Sequence, residues 1–463
     1  MSRSSHSAFL AELARFVPAA RLRTDPAERW TYGYDNSRRQ ALPDAVVFAE
    51  THEETCAIVR LCAAHRVPLV ARGRGTATTG AAVPVAGGVV LAFERMTRIL
   101  EVNPDDRTMT VEAGVTNGEV QRAAAACGLF WPPDPTSAGY STVGGNIACN
   151  AGGPRTVKYG AARENVLGLR AVTGTGETLH TGGATTKRST GYDLTRLIVG
   201  SEGTLAIVTA ATLKLHPLPA ATRTLRALYT GAAAAAQAVA TVMRQPILPC
   251  MLEFMDAAAL TLLRGQGVAA LPPEAGALLL IEVDGSQDAV EHAAARLSEA
   301  ATVPGLIGLD IARDAAEAEQ LRAARKALSP ALRRVAPDKI NEDVVVPVSR
   351  LPELVARVEA LGQAHEVRVV TFGHAGNGNL HVNILYDRTR DGEAERAERC
   401  LAAIFTEVFR LGGTLSGEHG IGLVKRDFMR EALDPVELAL MRAIKRQFDP
   451  YGILNPGKLL PEE

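Results

Sequence analysis

The chain has 463 residues, enough for two or three domains with real cores. Hydrophobic content of 47% and charged content of 22% are ordinary for a folded protein, and 50 basic against 51 acidic residues leave no field favouring nucleic acid or an anionic membrane. No apolar run approaches the roughly 18 residues of a membrane span, and six scattered cysteines without a CxxC pair point to reduced thiols in a cytoplasmic protein.

The first segment, MSRSSHSAFLAELARFV, has the Ser and Arg of a transit peptide but no apolar core of a secretory signal. Phe9, Leu10, Leu13, Phe16 and Val17 fall on one helical face, which predicts a first amphipathic helix. AVVFA (45–49) reads as a strand, and Thr51 with Glu54 forms a capping box that opens a helix. VPLVA (67–71) is the next strand; Thr116 and Glu119 repeat the capping box, with Gly128 closing that helix. TLAIVTAATLKLH (204–216) ends this grammar, and PLPAA (217–221) is the expected seam.

Three small-residue stretches interrupt this first half: ARGRGTATTG (71–80), STVGGNIACNAGG (141–153) and VGSEGTLAIVT (199–209). Glycines admit positive φ and let backbone N–H groups converge on an anion. Gly73-x-Gly75 lacks the third glycine of a Rossmann fingerprint, and no Gly-Lys-Ser/Thr of a Walker loop occurs. A long ligand laid against backbone, such as a dinucleotide in an unusual docking, fits three such loops.

Beyond the seam, strands near 224–230, 248–256 and 277–284 alternate with helices near 231–244, 257–264 and 286–300. A helix over 314–335, a strand at 343–347 and a helix over 350–364 follow. The order predicts an α+β domain with helices on an antiparallel sheet. FGHAGNGNLHVNI (372–384) then carries two histidines. Asn377-Gly378 is a type I′ hairpin signal, which predicts Gly376 opposite Asn379, Ala375 opposite Leu380, and His374 opposite His381. Asn379, His381 and Asn383 then share a polar face, and two imidazoles about 5 Å apart at Cβ suit either a shared metal ion or a hydrogen-bonded histidine pair. SGEHGIG (416–422) supplies Glu418 as a third candidate ligand and His419 as a candidate base.

GNIACNAGG, GSEGTLAIVT, FGHAGNGNLHVN, SGEHGIG and FDPYGILNPGK, in that order, resemble the FAD-linked oxidase family of D-lactate dehydrogenases, glycolate oxidase flavoprotein subunits and D-2-hydroxyglutarate dehydrogenases, over about Pro43 to Lys458. The resemblance implies an α+β architecture: a two-part FAD domain of the vanillyl-alcohol oxidase type over 1–217, a substrate (cap) domain over 218–425 with the metal site, and a helical arm over 426–463 that packs back on the FAD domain. It implies that FAD, untethered because RGRGT holds neither His nor Cys, meets Arg72, Gly73, Arg74, Gly75 and Thr76 at its pyrophosphate. Further contacts fall on Pro133, Thr136, Ser137, Gly144, Gly145, Asn146, Asn150, Ser201, Glu202, Gly203, Thr204 and Asn455.

By the same resemblance, His374, His381 and Glu418 hold a divalent metal, zinc favoured, His419 is the base, and Arg325 clamps a carboxylate with Ser329 one turn on. Lys339 and Asn383 complete the expected substrate contacts. Asn341 stands where the hydroxyglutarate enzymes carry a Lys, with Lys339 two residues earlier, which weakens the case for a dicarboxylate. The implied reaction oxidises a D-2-hydroxy acid, D-lactate favoured, and passes electrons to an external acceptor: electron-transfer flavoprotein, quinone or cytochrome. D-2-hydroxyglutarate, glycolate and a catalytically silent flavoprotein subunit stay open as alternatives. A homodimer and a place in the cytoplasm or beside the inner membrane accompany this reading.

Overall fold

The computed structural model describes residues 3–265 and 271–462, without the side chains of 3–6, 324, 329 and 330. The chain divides into two units: Met1–Gly152, Gly160–Leu218 and Glu418–Glu463 form the first, and Gly153–Tyr159 with Pro219–Gly417 form the second. The second unit thus ends earlier than the expected 425 and takes seven residues, 153 to 159, from the first half.

In the first unit, α1 (Arg3–Phe16) buries Phe9 and Leu13 and leaves Phe16 39% exposed, so the predicted apolar face is narrower than its sequence pattern. A four-stranded sheet follows in the order β1 (Leu22–Arg23), β2 (Ala45–Phe48), β4 (Val89–Ala92), β3 (Leu69–Arg72). Strands β2, β4 and β3 are parallel. They are short and wholly apolar at β2 and β4, as parallel strands covered on both faces must be. Between them α2 (His52–His65) is capped by Thr51, whose side chain accepts the Glu54 N–H.

A second, antiparallel sheet runs β5 (Ile99–Asn103), β6 (Thr108–Glu112), β9 (Ala206–Lys214), β7 (Val166–Thr173), β8 (Thr178–Gly182). It carries α3 (Asn117–Ala125), whose capping box from Thr116 to Glu119 is complete, and α4 (Val143–Cys149). The C-terminal segment belongs to this unit: after α11 (Pro435–Phe448) the chain runs beside β3, where Leu454 bridges Leu69.

The second unit is one seven-stranded antiparallel sheet. Its order is β13 (Leu306–Ile311), β10 (Ala221–Tyr229), β12 (Ala277–Gly285), β11 (Met251–Asp256), β15 (Arg368–Gly373), β16 (Asn379–Tyr386), β14 (Asp338–Val345). Helices α5 (Ala232–Met243), α7 (Gln287–Ala301), α9 (Leu351–Ala364) and α10 (Glu393–Arg410) pack on it. So do α6 (Ala257–Gly265) and α8 (Ala315–Leu332), which share a core with Met251, Met255, Leu280 and Phe372. Strand β14 lies earlier than the expected 343–347. Its polar run Lys339–Asp343 hid an edge strand that pairs with β16 along its whole length.

The predicted hairpin register is corrected. Phe372, not His374, stands opposite His381, and the ladder ends there. His374 to Gly378 form a longer reversal with one 3₁₀ turn over Ala375–Asn377, in which the His374 carbonyl accepts the Asn377 N–H at 3.0 Å. Only Gly378 of the Asn-Gly pair takes a positive φ, +71°, so the I′ geometry is absent. The slip is an even number of residues, and so His374 keeps the face it was expected to have.

A side chain at 378 would place Cβ 1.9 Å from the Val346 carbonyl oxygen. Gly378→Ala should therefore cost at least about 2 kcal/mol, combining left-handed strain with that clash. A denaturant midpoint unchanged from wild type would contradict the turn.

Candidate active site

The three glycine loops of the first unit converge on one open cleft. Its lining includes Arg72, Gly73, Thr142, Gly144, Gly145, Ser201, Glu202 and Gly203, drawn from all three loops. Glycine is required for different reasons at these positions. At Gly73 a Cβ would stand 2.3 Å from Thr142 Oγ1, and at Gly144 2.8 Å from Ala113 Cβ, so loop and helix pack directly on each other. At Gly145 a Cβ would meet only Thr142 Oγ1 at 3.3 Å, and at Gly203 only Ala71 Cβ at 3.9 Å, so these two leave room for a ligand. Thr78 Oγ1, Ser141 Oγ and Asn146 Nδ2 are buried with no hydrogen-bond partner in the protein. Buried polar atoms of that kind are met by ordered water or by a bound polar group, and three of them beside the glycine loops fit a dinucleotide.

Several residues expected to contact FAD also make hydrogen bonds or ion pairs within the protein. The Arg72 guanidinium lies under its own loop and donates to the Tyr34 carbonyl at 2.7 Å. Arg74 is partly exposed, 3.7 Å from Glu94. Asn455 donates to the Ala81 and Glu202 carbonyls at 2.9 and 2.7 Å and accepts from Lys458 at 2.6 Å. Asn150, with φ +53°, caps α4 and accepts the Arg163 N–H. The Pro133 carbonyl accepts from Asn117 and the Ser137 carbonyl from Tyr140 and Ser141, while Thr136 is exposed. Thr204 Oγ1 donates to the Ser201 carbonyl at 2.7 Å.

His419 and Glu418 open the C-terminal part of this unit. The Glu202 carboxylate accepts the Ile421 N–H at 2.6 Å and the Gly422 N–H at 2.9 Å. Burial raises the Glu202 carboxyl to about 7, against the pull of those N–H groups and of Lys458 and Lys425.

In the second unit, the imidazoles of His374 and His381 meet edge to face, with Nε2 to Nε2 3.4 Å. Sequence reasoning missed the residue that arranges them. Glu253, on β11 between Met251 and Met255, is fully buried. Its Oε1 is 2.5 Å from His374 Nδ1 and its Oε2 accepts from Arg325 Nε at 2.7 Å. Burial would raise its pKa, but His374 and Arg325 outweigh it and hold the carboxyl near 2. A carboxylate at Nδ1 makes that nitrogen the N–H, so Nε2 presents a lone pair. Two nitrogen ligands of a tetrahedral ion lie about 3.4 Å apart, and a carboxylate behind the imidazole is the usual outer partner of such a ligand. The donor set fits a divalent metal.

Asp343, opposite His381 in the ladder, has Oδ1 3.7 Å from His381 Nδ1. It also accepts from Asn379 at 2.6 Å and from Ser416 Oγ and the Gly417 N–H at 3.0 and 2.9 Å. It thereby fixes the last residues of the unit before Glu418. Arg325 lies 4.5 Å over the Phe372 ring. Asn383 is fully buried; its Nδ2 donates to the Val370 carbonyl, and its Oδ1 has no partner in the protein. Lys339 pairs with Leu385, four residues from Asp343 along β14, and the Ser329 side chain lies outside the described residues.

Residues 43–182 match the family described as FAD binding domain, and 218–459 match FAD linked oxidases, C-terminal domain. The glycolate oxidase subunit GlcD of Bacillus subtilis is 41% identical over 94% of this chain and 93% of that protein. The D-2-hydroxyglutarate dehydrogenase of Xanthomonas citri pv. viticola is 38% identical over 96% of each. The D-lactate dehydrogenase of Anaerostipes hadrus is 35% identical over 91% of this chain and 90% of that protein. The solved p-cresol methylhydroxylase has the same fold, with a TM-score of 0.83 at 18% identity over 99% of this chain and 97% of its own. Gly145→Leu should therefore weaken FAD binding at least about 10-fold by filling the cleft, with the far-ultraviolet spectrum unchanged; full flavin occupancy would move FAD elsewhere. The chain belongs to the FAD-linked oxidases and is an oxidoreductase of the glycolate, D-lactate and D-2-hydroxyglutarate dehydrogenase type.

Proposed function

We propose that the protein is an FAD- and metal-dependent dehydrogenase of a short D-2-hydroxy monocarboxylate, D-lactate or glycolate, which it oxidises to the 2-oxo acid. The observation that carries this reading is the Nε2 pair of His374 and His381 with Glu253 behind it. Glu418 is the third ligand in this proposal; it is joined directly to Gly417, whose N–H Asp343 holds. When bound, the metal lowers the pKa of the substrate hydroxyl, and FAD accepts the two electrons released from C2.

The rest of the chemistry falls to the chain. His419 accepts the hydroxyl proton, a task to which an imidazole is suited near neutrality. Arg325 commits Nε to Glu253, and its terminal nitrogens grip the substrate carboxylate. Asn383 Oδ1 is a further polar contact on the same sheet. Asn341 opposite Asn383 offers no charge to a second carboxylate, and Lys339 stands roughly 13 Å along the strand from Asp343. That favours a monocarboxylate over hydroxyglutarate. Relatives named as a glycolate oxidase subunit and a D-lactate dehydrogenase support the same substrate class. The electrons then leave to an external acceptor. No helix among the described residues is long and apolar enough to cross a membrane.

Anaerobic mixing with D-lactate or glycolate should bleach the flavin, with L-lactate and D-2-hydroxyglutarate much slower. His419→Ala should retain FAD and lose roughly 10²–10⁴ in turnover. Fast bleaching by D-2-hydroxyglutarate alone would overturn the monocarboxylate, and a fully active His419→Ala would remove the base.

A further inference from the structure

The segment that follows His419 is clasped by two of the loops that line the flavin cleft. From the loop at 200–204, the Glu202 carboxylate takes the N–H groups of Ile421 and Gly422. From the loop at 71–80, the Thr79 carbonyl accepts the N–H groups of Leu423 and Val424 at 2.8 and 3.2 Å, and Thr79 Oγ1 donates to the His419 carbonyl at 3.4 Å.

The fit leaves no slack. A Cβ at Gly420 would stand 2.5 Å from Glu202 Oε1, and one at Gly422 2.3 Å from the Thr79 carbonyl oxygen. Glu202 itself is held in the left-handed region at φ +53°, its N–H on the Ala148 carbonyl at 2.8 Å and its own carbonyl on Asn455. A non-glycine residue keeps such a backbone only where its surroundings over-determine it. The same residue thus lines the cleft and anchors the chain two residues beyond His419.

We propose that Glu202 is a positioning residue for His419: the loop that receives FAD fixes, through this carboxylate, the backbone that aims the proton-accepting imidazole. The proposal rests on the assignment of His419 as the base. A loop held in this way places the ring correctly once FAD is seated, and a displacement of about 1 Å at a reacting group is enough to cost up to about 10²-fold in rate.

The test is anaerobic flavin reduction by the hydroxy acid in FAD-loaded wild type, Glu202→Ala, Glu202→Gln and His419→Ala, with amide exchange followed at Ile421 and Gly422. Glu202→Ala should lower the limiting reduction rate at least about 10-fold while the substrate Kd stays within about threefold, and should speed exchange at both amides. Glu202→Gln should be intermediate, since its amide oxygen still accepts from Ile421 while its NH₂ faces the Gly422 N–H. Removing FAD from the wild type should speed the same two amides. Should Glu202→Ala fail to hold FAD, Glu202→Gln decides alone. Wild-type reduction rates in the Glu202 variants beside a slow His419→Ala overturn the positioning role. A wild-type rate in His419→Ala instead removes the base assignment, and the proposal with it.

Discussion

A carboxylate sealed inside a protein persists only with partners, and the second unit is organised around one. Glu253 has no solvent, yet both its oxygens are engaged, one by His374 and one by Arg325. Removing either partner would leave a buried charge uncompensated, at a cost of about 3–5 kcal/mol. The same two bonds decide the chemistry: one sets the His374 tautomer and turns Nε2 toward His381, and the other orients the guanidinium through Nε. The proposed metal ligand and the proposed carboxylate clamp are thereby held by a single side chain on a rigid central strand. Sites supported this way keep their geometry better than sites on loops.

The first unit follows a different rule. Its cleft is made of backbone, with glycines where loop packs on helix and where a ligand must approach closely. Charged and amide side chains near it serve as braces. Arg72 holds up its own loop, Asn455 ties the C-terminal segment to Ala81 and Glu202, and Lys458 completes that knot. Burial lowers the Lys458 ammonium to about 8, with the Glu202 and Asp35 charges opposing the shift.

How far these features could be read from the sequence depended on whether a local rule governed them. Thr116 and Glu119 announced a capping box because the motif is complete within four residues. Asn377-Gly378 announced a reversal, but the register came out two residues away because Gly378 alone could supply the left-handed step. The histidines still met, since a strand keeps its faces under an even slip. Glu253 gave no signal: one acid among Met251, Leu252, Phe254 and Met255 reads as a surface residue of a half-buried strand, and only the fold shows helix α8 closing over it. Edge strand β14 was misplaced for the converse reason, because its polar residues face partners within the sheet. Arg325 carries no local signature of its role, and the family resemblance alone singled it out; Glu418 and His419 stood out in SGEHGIG by residue type, without a local rule to bring them to the histidine pair.

The account depends most on a metal held by the two imidazoles. Metal analysis of the purified protein with X-ray absorption at the metal edge addresses it directly. The account requires close to one divalent ion per chain with two imidazole nitrogens at about 2.0–2.1 Å, lost in His381→Ala. A catalytically active protein without stoichiometric metal, or an ion whose coordination contains no imidazole, would contradict it.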